Sequence, residues 1–299
     1  MFDTQDHAFH LRLNTFYLRE MGGPDRFGAV PLDPAEREEI VRMEAAWNAY
    51  EEGRLDLGGL PDAPAAFASW YSDLHRAHRR EVAEFFDFLA ERAPPEALAF
   101  YIGLEEQVDG RFDDVIALAQ IGMAGDMKLA LAENYWDEMG LGKIEEMHTV
   151  MFGHSAAHMR GILEGAGLDV ARAVPAAALK NGNLLMMYAL RRQYSARLLG
   201  ALAILEHTAP HRFSRTVQGL RRIGMPEDVI RYHDMHIAID ANHGKQLLHR
   251  VLLPLVQAAP HTLREVCMGC LVRYRVALDY YDSIRTVLAG CGLADARAA

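Results

Sequence analysis

Residues 34–52 read PAEREEIVRMEAAWNAYEE, and their spacing sets the class of the whole chain. Ile40, Met43, Ala46 or Trp47, and Tyr50 recur every three or four positions with acids and bases between them, which is the period of an amphipathic helix. A Gly-, Pro- and Asp-rich stretch from Gly53 to Pro64 ends it. The same period returns over Ala65–Arg92, and again from the Pro94-Pro95 punctuation to about Gly110, with proline opening a helix as expected. Further helices are predicted over Phe112–Gly122, Met127–Met139, Ile144–Gly165, Asn183–Thr208 and Arg215–Ile223. Two more run from Pro226 to a kink or end near Pro254, and over His261–Ala289. Pro175–Gly182 reads as a loop. No segment alternates with period two, so the class is all-α and a bundle of about nine or ten helices is the natural architecture. A single helical domain over 1–299 is expected, with 1–92 as a helical layer packed on a core of 93–290.

Composition narrows the function classes. Of 299 residues 51% are apolar, enough for a sizeable core, and 31 Lys and Arg against 41 Asp and Glu give a net charge of −10. Nucleic-acid-binding domains usually carry the opposite sign, so neither nucleic acid nor an anionic membrane is an expected partner. Apolar runs such as Val251–Val256 fall far short of a membrane span, and MFDTQDHAFHLRL lacks a cationic start and an apolar segment. The expected location is cytoplasmic. Three cysteines argue against a disulfide framework; Cys267 and Cys270 form a C-x-x-C inside an apolar helical pattern and read as packing. The 14 histidines, ten of them between His148 and His261, are the feature that composition leaves to be explained.

The sharpest chemical signal is YHDMHIAIDANHGK. His236, Asp240 and His243 stand at i, i+4 and i+7, which return to one face of a helix. Ile237, Ile239 and the aliphatic run Leu247–Leu255 make a central helix the better reading than a solvated one, and burying two imidazoles and a carboxylate together is costly unless a metal compensates. His233 lies one turn upstream. A second signal is NYWDEMGLG followed by EEMH. Glu138 ends one helix, two glycines permit a break, and His148 arrives early in the next. Glu145-x-x-His148 has the spacing of ferritin-like bundles, but no second such motif accompanies it. Glu206 lies in LLGALAILEH, where a carboxylate is either bound to a partner or closes the helix at a solvent end near Pro210. Glu105 shares the inner face with Tyr101 and Val108 and is preferred to Glu106 as the inward carboxylate.

Together these residues resemble the heme-oxygenase-like di-iron oxidases and oxygenases, over roughly Pro95–Leu255. The likeness rests on Glu138 to His148, Glu206 to His236, and the triplet H-x-x-x-D-x-x-H; residues 1–90 carry no recognisable motif. The resemblance implies a heme-oxygenase-like bundle holding two non-heme irons instead of heme. Glu105, Glu138 and His148 would hold one iron, and Glu206, His236, Asp240 and His243 would hold or bridge to the second. Manganese suits the same donors. The implied activity is O2-dependent oxidation of a small organic substrate, by N-oxygenation, hydroxylation, desaturation or carbon–carbon cleavage. No catalytic residue beyond the ligands is implied, and an electron donor and a homodimer are compatible partners. Two other readings stay open: a heme-linked or cofactorless relative on the same fold, and a helical metal-binding or interaction protein without catalysis. Arg191 and Arg192 are candidates to clamp a substrate carboxylate.

Overall fold

A computed structural model describes residues 2–27, 33–168 and 174–293. Every regular element among them is helical, and the order is α1 (His7–Glu20), α2 (Pro34–Gly53), α3 (Pro64–Glu91), α4 (Pro95–Asp109), α5 (Phe112–Ala119), α6 (Gly125–Glu138), α7 (His148–Gly165), α8 (Ala176–Leu190), α9 (Ser195–Arg222), α10 (Glu227–Gln246), α11 (Leu253–Ala258) and α12 (Leu263–Gly290). The result is an all-α bundle. Local chemistry explains many of the ends. Pro34, Pro64 and Pro95 open α2, α3 and α4, where a missing N–H costs nothing, and Asp33 accepts the Ala35 N–H at 2.9 Å to cap α2.

Three stretches differ from their sequence reading. Residues 175–182 were expected as a loop, but Pro175 stands just before α8 and Ala178–Asn183 are buried within it. The long helix expected over 183–208 breaks at Arg191, whose backbone is extended (φ −109°, ψ 101°) and whose guanidinium holds the Glu44 carboxylate from α2. That pairing with a distant helix overrides local helix propensity. Conversely, α9 runs unbroken through Pro210 and absorbs the expected short helix over 215–223. The lost backbone bond is tolerated because Leu198–Leu205 and Phe213, Val217 and Leu220 anchor both halves in apolar cores. Before Pro254 the chain winds as a π-helical turn, Leu247–Leu252, which carries α10 into α11 without the sharp end expected there.

Among the described residues the buried apolar side chains form two clusters. One joins α1, α2 and the start of α3 to α5, α6, α8 and the first half of α9; the other joins the end of α3 to α4, α7, α10 and the second half of α9. The helices of residues 2–92 thus contribute to both. Helix α9 threads both clusters, and Glu206 lies on it between Leu205 of the first and Ala209 of the second. No described helix is long and apolar enough to cross a membrane.

Candidate metal centre

Glu138 and His148 are brought together by a turn that only glycine permits. Helix α6 ends at Glu138, two 3-10 turns follow at Gly140–Gly142 and Ile144–Glu146, and α7 begins at His148. Gly140 has φ +59°, and a Cβ there would lie 2.4 Å from the Glu146 carbonyl carbon. The reversal places the Glu138 Oε2 2.9 Å from the His148 Nδ1, both side chains nearly wholly buried. Glu145 is exposed, so the competing E-x-x-H pair does not converge.

The α10 stripe faces this turn. His236, Asp240 and His243 are all buried. Nδ1 of His236 donates to the Tyr232 carbonyl at 2.6 Å, which turns Nε2 toward His148 Nδ1 at 3.0 Å. One donor atom each from Glu138, His148 and His236 lie within 4.8 Å of one another, so these three can hold a metal ion. Two turns further on, His243 Nε2 meets Asp137 Oδ2 at 2.9 Å and leaves Nδ1 facing Glu206 Oε2 at 3.3 Å. Gly244 allows this approach of α10 to α9, since a Cβ there would lie 2.6 Å from the His207 Cα. The Asn134 amide donates to both Glu206 oxygens at 2.9 Å. The sequence reading grouped Glu206, His236, Asp240 and His243; the fold keeps His243 beside Glu206 but sets His236 Nε2 against His148, in one cluster with Glu138.

Helix α4 supplies two acids with opposite surroundings. Glu105 is buried and Glu106 exposed, where Glu106 pairs with Arg160 at 3.4 Å. Glu105 is already engaged, through an ion pair with Arg212 and a 2.6 Å hydrogen bond from the Tyr280 hydroxyl. Asp109, one turn later, keeps a fully buried Oδ2 without a hydrogen bond, 3.6 Å from Arg212 Nη1. The sequence reading passed over Asp109; its only signal was the i+4 spacing from Glu105 on the same face.

The site is electrostatically unfinished. Burial, then the charge of Asp240 and that of Glu138, hold the Asp109 carboxyl well above the usual carboxylate range. Burial and then Glu206 do the same to Asp240, and burial raises Glu138 against the pull of His148. Burial and the neighbouring His148 push His236 well below the imidazole range. Residues 99–278, more than half of the chain, match the profile of a family described as iron-containing redox enzyme. The chain belongs to this family. No curated protein matches the chain.

An iron-containing redox enzyme needs buried oxygen and nitrogen donors that a cation can join, and this chain's residues fit that requirement. Three carboxyls driven toward the neutral form by burial and by one another, with a buried Asp109 Oδ2 that has no hydrogen bond, are groups a divalent cation would satisfy. The donor chemistry, carboxylate with imidazole, suits iron. Other candidates from the sequence lie elsewhere. Arg191 is taken by Glu44, and Cys267 and Cys270 are buried thiols whose pKa values burial raises.

Proposed function

We propose that the protein is a non-heme di-iron oxidase or oxygenase that uses O2 to oxidise a small organic substrate. The observation that carries this reading is the three-donor cluster of Glu138, His148 and His236, with the His243–Glu206 pair beside it and the buried Asp240 feeling the charge of Glu206, His243 and Glu138. Glu138, which feels the charge of Glu206 and His243, would stand between them. Two ferrous ions bound there would supply electrons for the reduction of O2.

The chain's own residues do the rest. The Tyr232 carbonyl accepts from His236 Nδ1 and so turns Nε2 toward the cluster, and Asp137 engages His243 Nε2 and leaves Nδ1 facing Glu206. Asn134 holds the Glu206 carboxylate in one orientation. Tyr232 and Phe213, with ring centroids 4.2 and 5.1 Å from that of His236, close the site against water. Glu105 completes the acid set only if it leaves Arg212 and Tyr280, whereas Asp109 is held by a hydrogen bond with Tyr232 and by Arg212 at the longer distance of 3.6 Å.

Anaerobic titration with Fe(II), followed by a Mössbauer count of bound iron, tests the reading. About two equivalents are expected, falling in His236→Ala and in His243→Ala. Saturation at one equivalent, or at none, overturns it.

A further inference from the structure

Glu105 and Asp109 of α4 are buried, while Glu106 and Gly110 of the same helix line a cleft of about 210 Å³ between α1, α4 and α8. One water needs roughly 10–15 Å³ of such space, so the cleft has room for a small molecule. None of the donors around Glu138 and Glu206 lines it. The packing that forms it is specific. Gly182 lets α8 lie against α4, because a Cβ there would clash with the Gln107 carbonyl oxygen. Asn14 of α1 is tied to α8 through Asn183.

That tie fixes the orientation of the Asn14 amide. Asn183 Nδ2 donates to the His10 carbonyl at 2.8 Å, so Asn183 Oδ1 is the acceptor for Asn14 Nδ2 at 3.0 Å. The nitrogen of Asn14 is spent, and Oδ1, on a buried side chain lining the cleft, accepts no hydrogen bond from the described residues. Glu106 gives only Oε2 to Arg160, at 3.4 Å, and keeps Oε1. Exposed pairs of this kind hold weakly. Arg111, also on the wall, has no carboxylate within 4 Å and no side-chain hydrogen bond among the described residues; Asp114 feels its charge from further off. Leu18 and Met186 make the apolar part of the wall. The cleft therefore presents one unmatched guanidinium, two unused acceptor oxygens and a short apolar surface.

We propose that this cleft binds a free α-amino acid, with its carboxylate on Arg111, its ammonium on Glu106 and the Asn14 Oδ1, and its side chain along Leu18 and Met186. A guanidinium matches the two oxygens of a planar carboxylate, and an ammonium has three N–H donors and needs acceptors only. A few placed polar groups beside an apolar surface are the usual make-up of a small-molecule site. A simple anion would leave Glu106 unmatched, and a simple amine would leave Arg111 so. The site stands without metal and does not depend on the oxygenase reading.

Isothermal titration of the full chain with L-norvaline, pentanoate, butylamine and glycine tests the proposal, since the last three each lack one of the three groups. Norvaline is expected to bind at least tenfold more tightly than any of them. Arg111→Gln should weaken norvaline at least tenfold with circular dichroism unchanged. Glu106→Gln, at an exposed position, should bring norvaline down to the level of pentanoate, and it carries the decision if Arg111→Gln fails to fold. No saturable binding of norvaline, binding of pentanoate, butylamine or glycine as tight as that of norvaline, or norvaline binding unchanged in folded Arg111→Gln or Glu106→Gln, overturns the proposal.

Discussion

The side-chain amide of Asn134 donates to both carboxylate oxygens of Glu206, at 2.9 Å each, across the interface of α6 and α9. A carboxylate gripped on both oxygens has one orientation, and groups that orient a ligand in this way typically change metal affinity by about 10- to 100-fold when removed. Asn134→Leu should therefore weaken the binding of one iron by about that factor and leave the other, on Glu138, His148 and His236, nearly unchanged. Competitive titration against a chelator would separate the two, and equal loss at both sites would count against two distinct donor sets.

Glu105 and Asp109 should respond differently to loss of charge. Glu105→Gln leaves the buried Arg212 with only the more distant Asp109, at 3.6 Å, so a loss of up to about 3–5 kcal/mol in stability is expected with iron affinity largely kept. Asp109→Asn removes an acid that repels Asp240 and Glu138 in the metal-free protein; it should raise the melting temperature without metal and lower iron affinity. Urea unfolding with and without Fe(II) measures both, and a reversed pattern would restore Glu105 as the ligand.

The turn between α6 and α7 is fixed by Gly140. Alanine there incurs about 1–2 kcal/mol for the left-handed backbone, and more for the Cβ approach to Glu146. Gly140→Ala should lower stability by at least that much and also reduce iron uptake, because it moves Glu138 relative to His148. Undiminished iron uptake in the folded variant would show that the turn does not position the site.

His10 gives the N-terminal helices an acid sensitivity. It is fully buried against Trp47, bonds the Thr4 carbonyl through Nε2 at 2.9 Å, and has no partner for Nδ1 among the described residues. Burial pushes its pKa from 6.5 down to about 4. The unfolded chain therefore takes up this proton first as pH falls, so the contribution is fully present above about pH 6.5 and is lost progressively down to about pH 4. By linkage the loss is about 3 kcal/mol. His10→Gln should be less stable than wild type at pH 7, with the difference shrinking or reversing by pH 4 in thermal melts. A difference that stays constant with pH would contradict this assignment.

The α10 stripe was legible because three polar residues at i, i+4 and i+7 within an apolar helix have one geometric consequence, a shared face. The Glu138–His148 turn was legible for a related reason, since two glycines mark where a chain can reverse. Arg191 was not legible, because the break in helix there is held by Glu44, 147 positions away, and leaves no local sign. Pro210 misled for the opposite reason: local chemistry favours a break, and packing on both sides overrides it.

By itself the sequence determined that this protein is all helix and where most helices begin, and it pointed to Glu105, Glu138, His148, Glu206, His236, Asp240 and His243 as candidate ligands, since periodicity and spacing are properties of one chain segment at a time. Only the tertiary structure decided which donors meet. It set His236 against His148 and Glu138, engaged Glu105 with Arg212, left Asp109 Oδ2 without a hydrogen bond 3.6 Å from Arg212, and buried Arg273 against Asn181. These outcomes depend on how α4, α9, α10 and α12 pack, and distances between helices are fixed by the fit of many side chains at once.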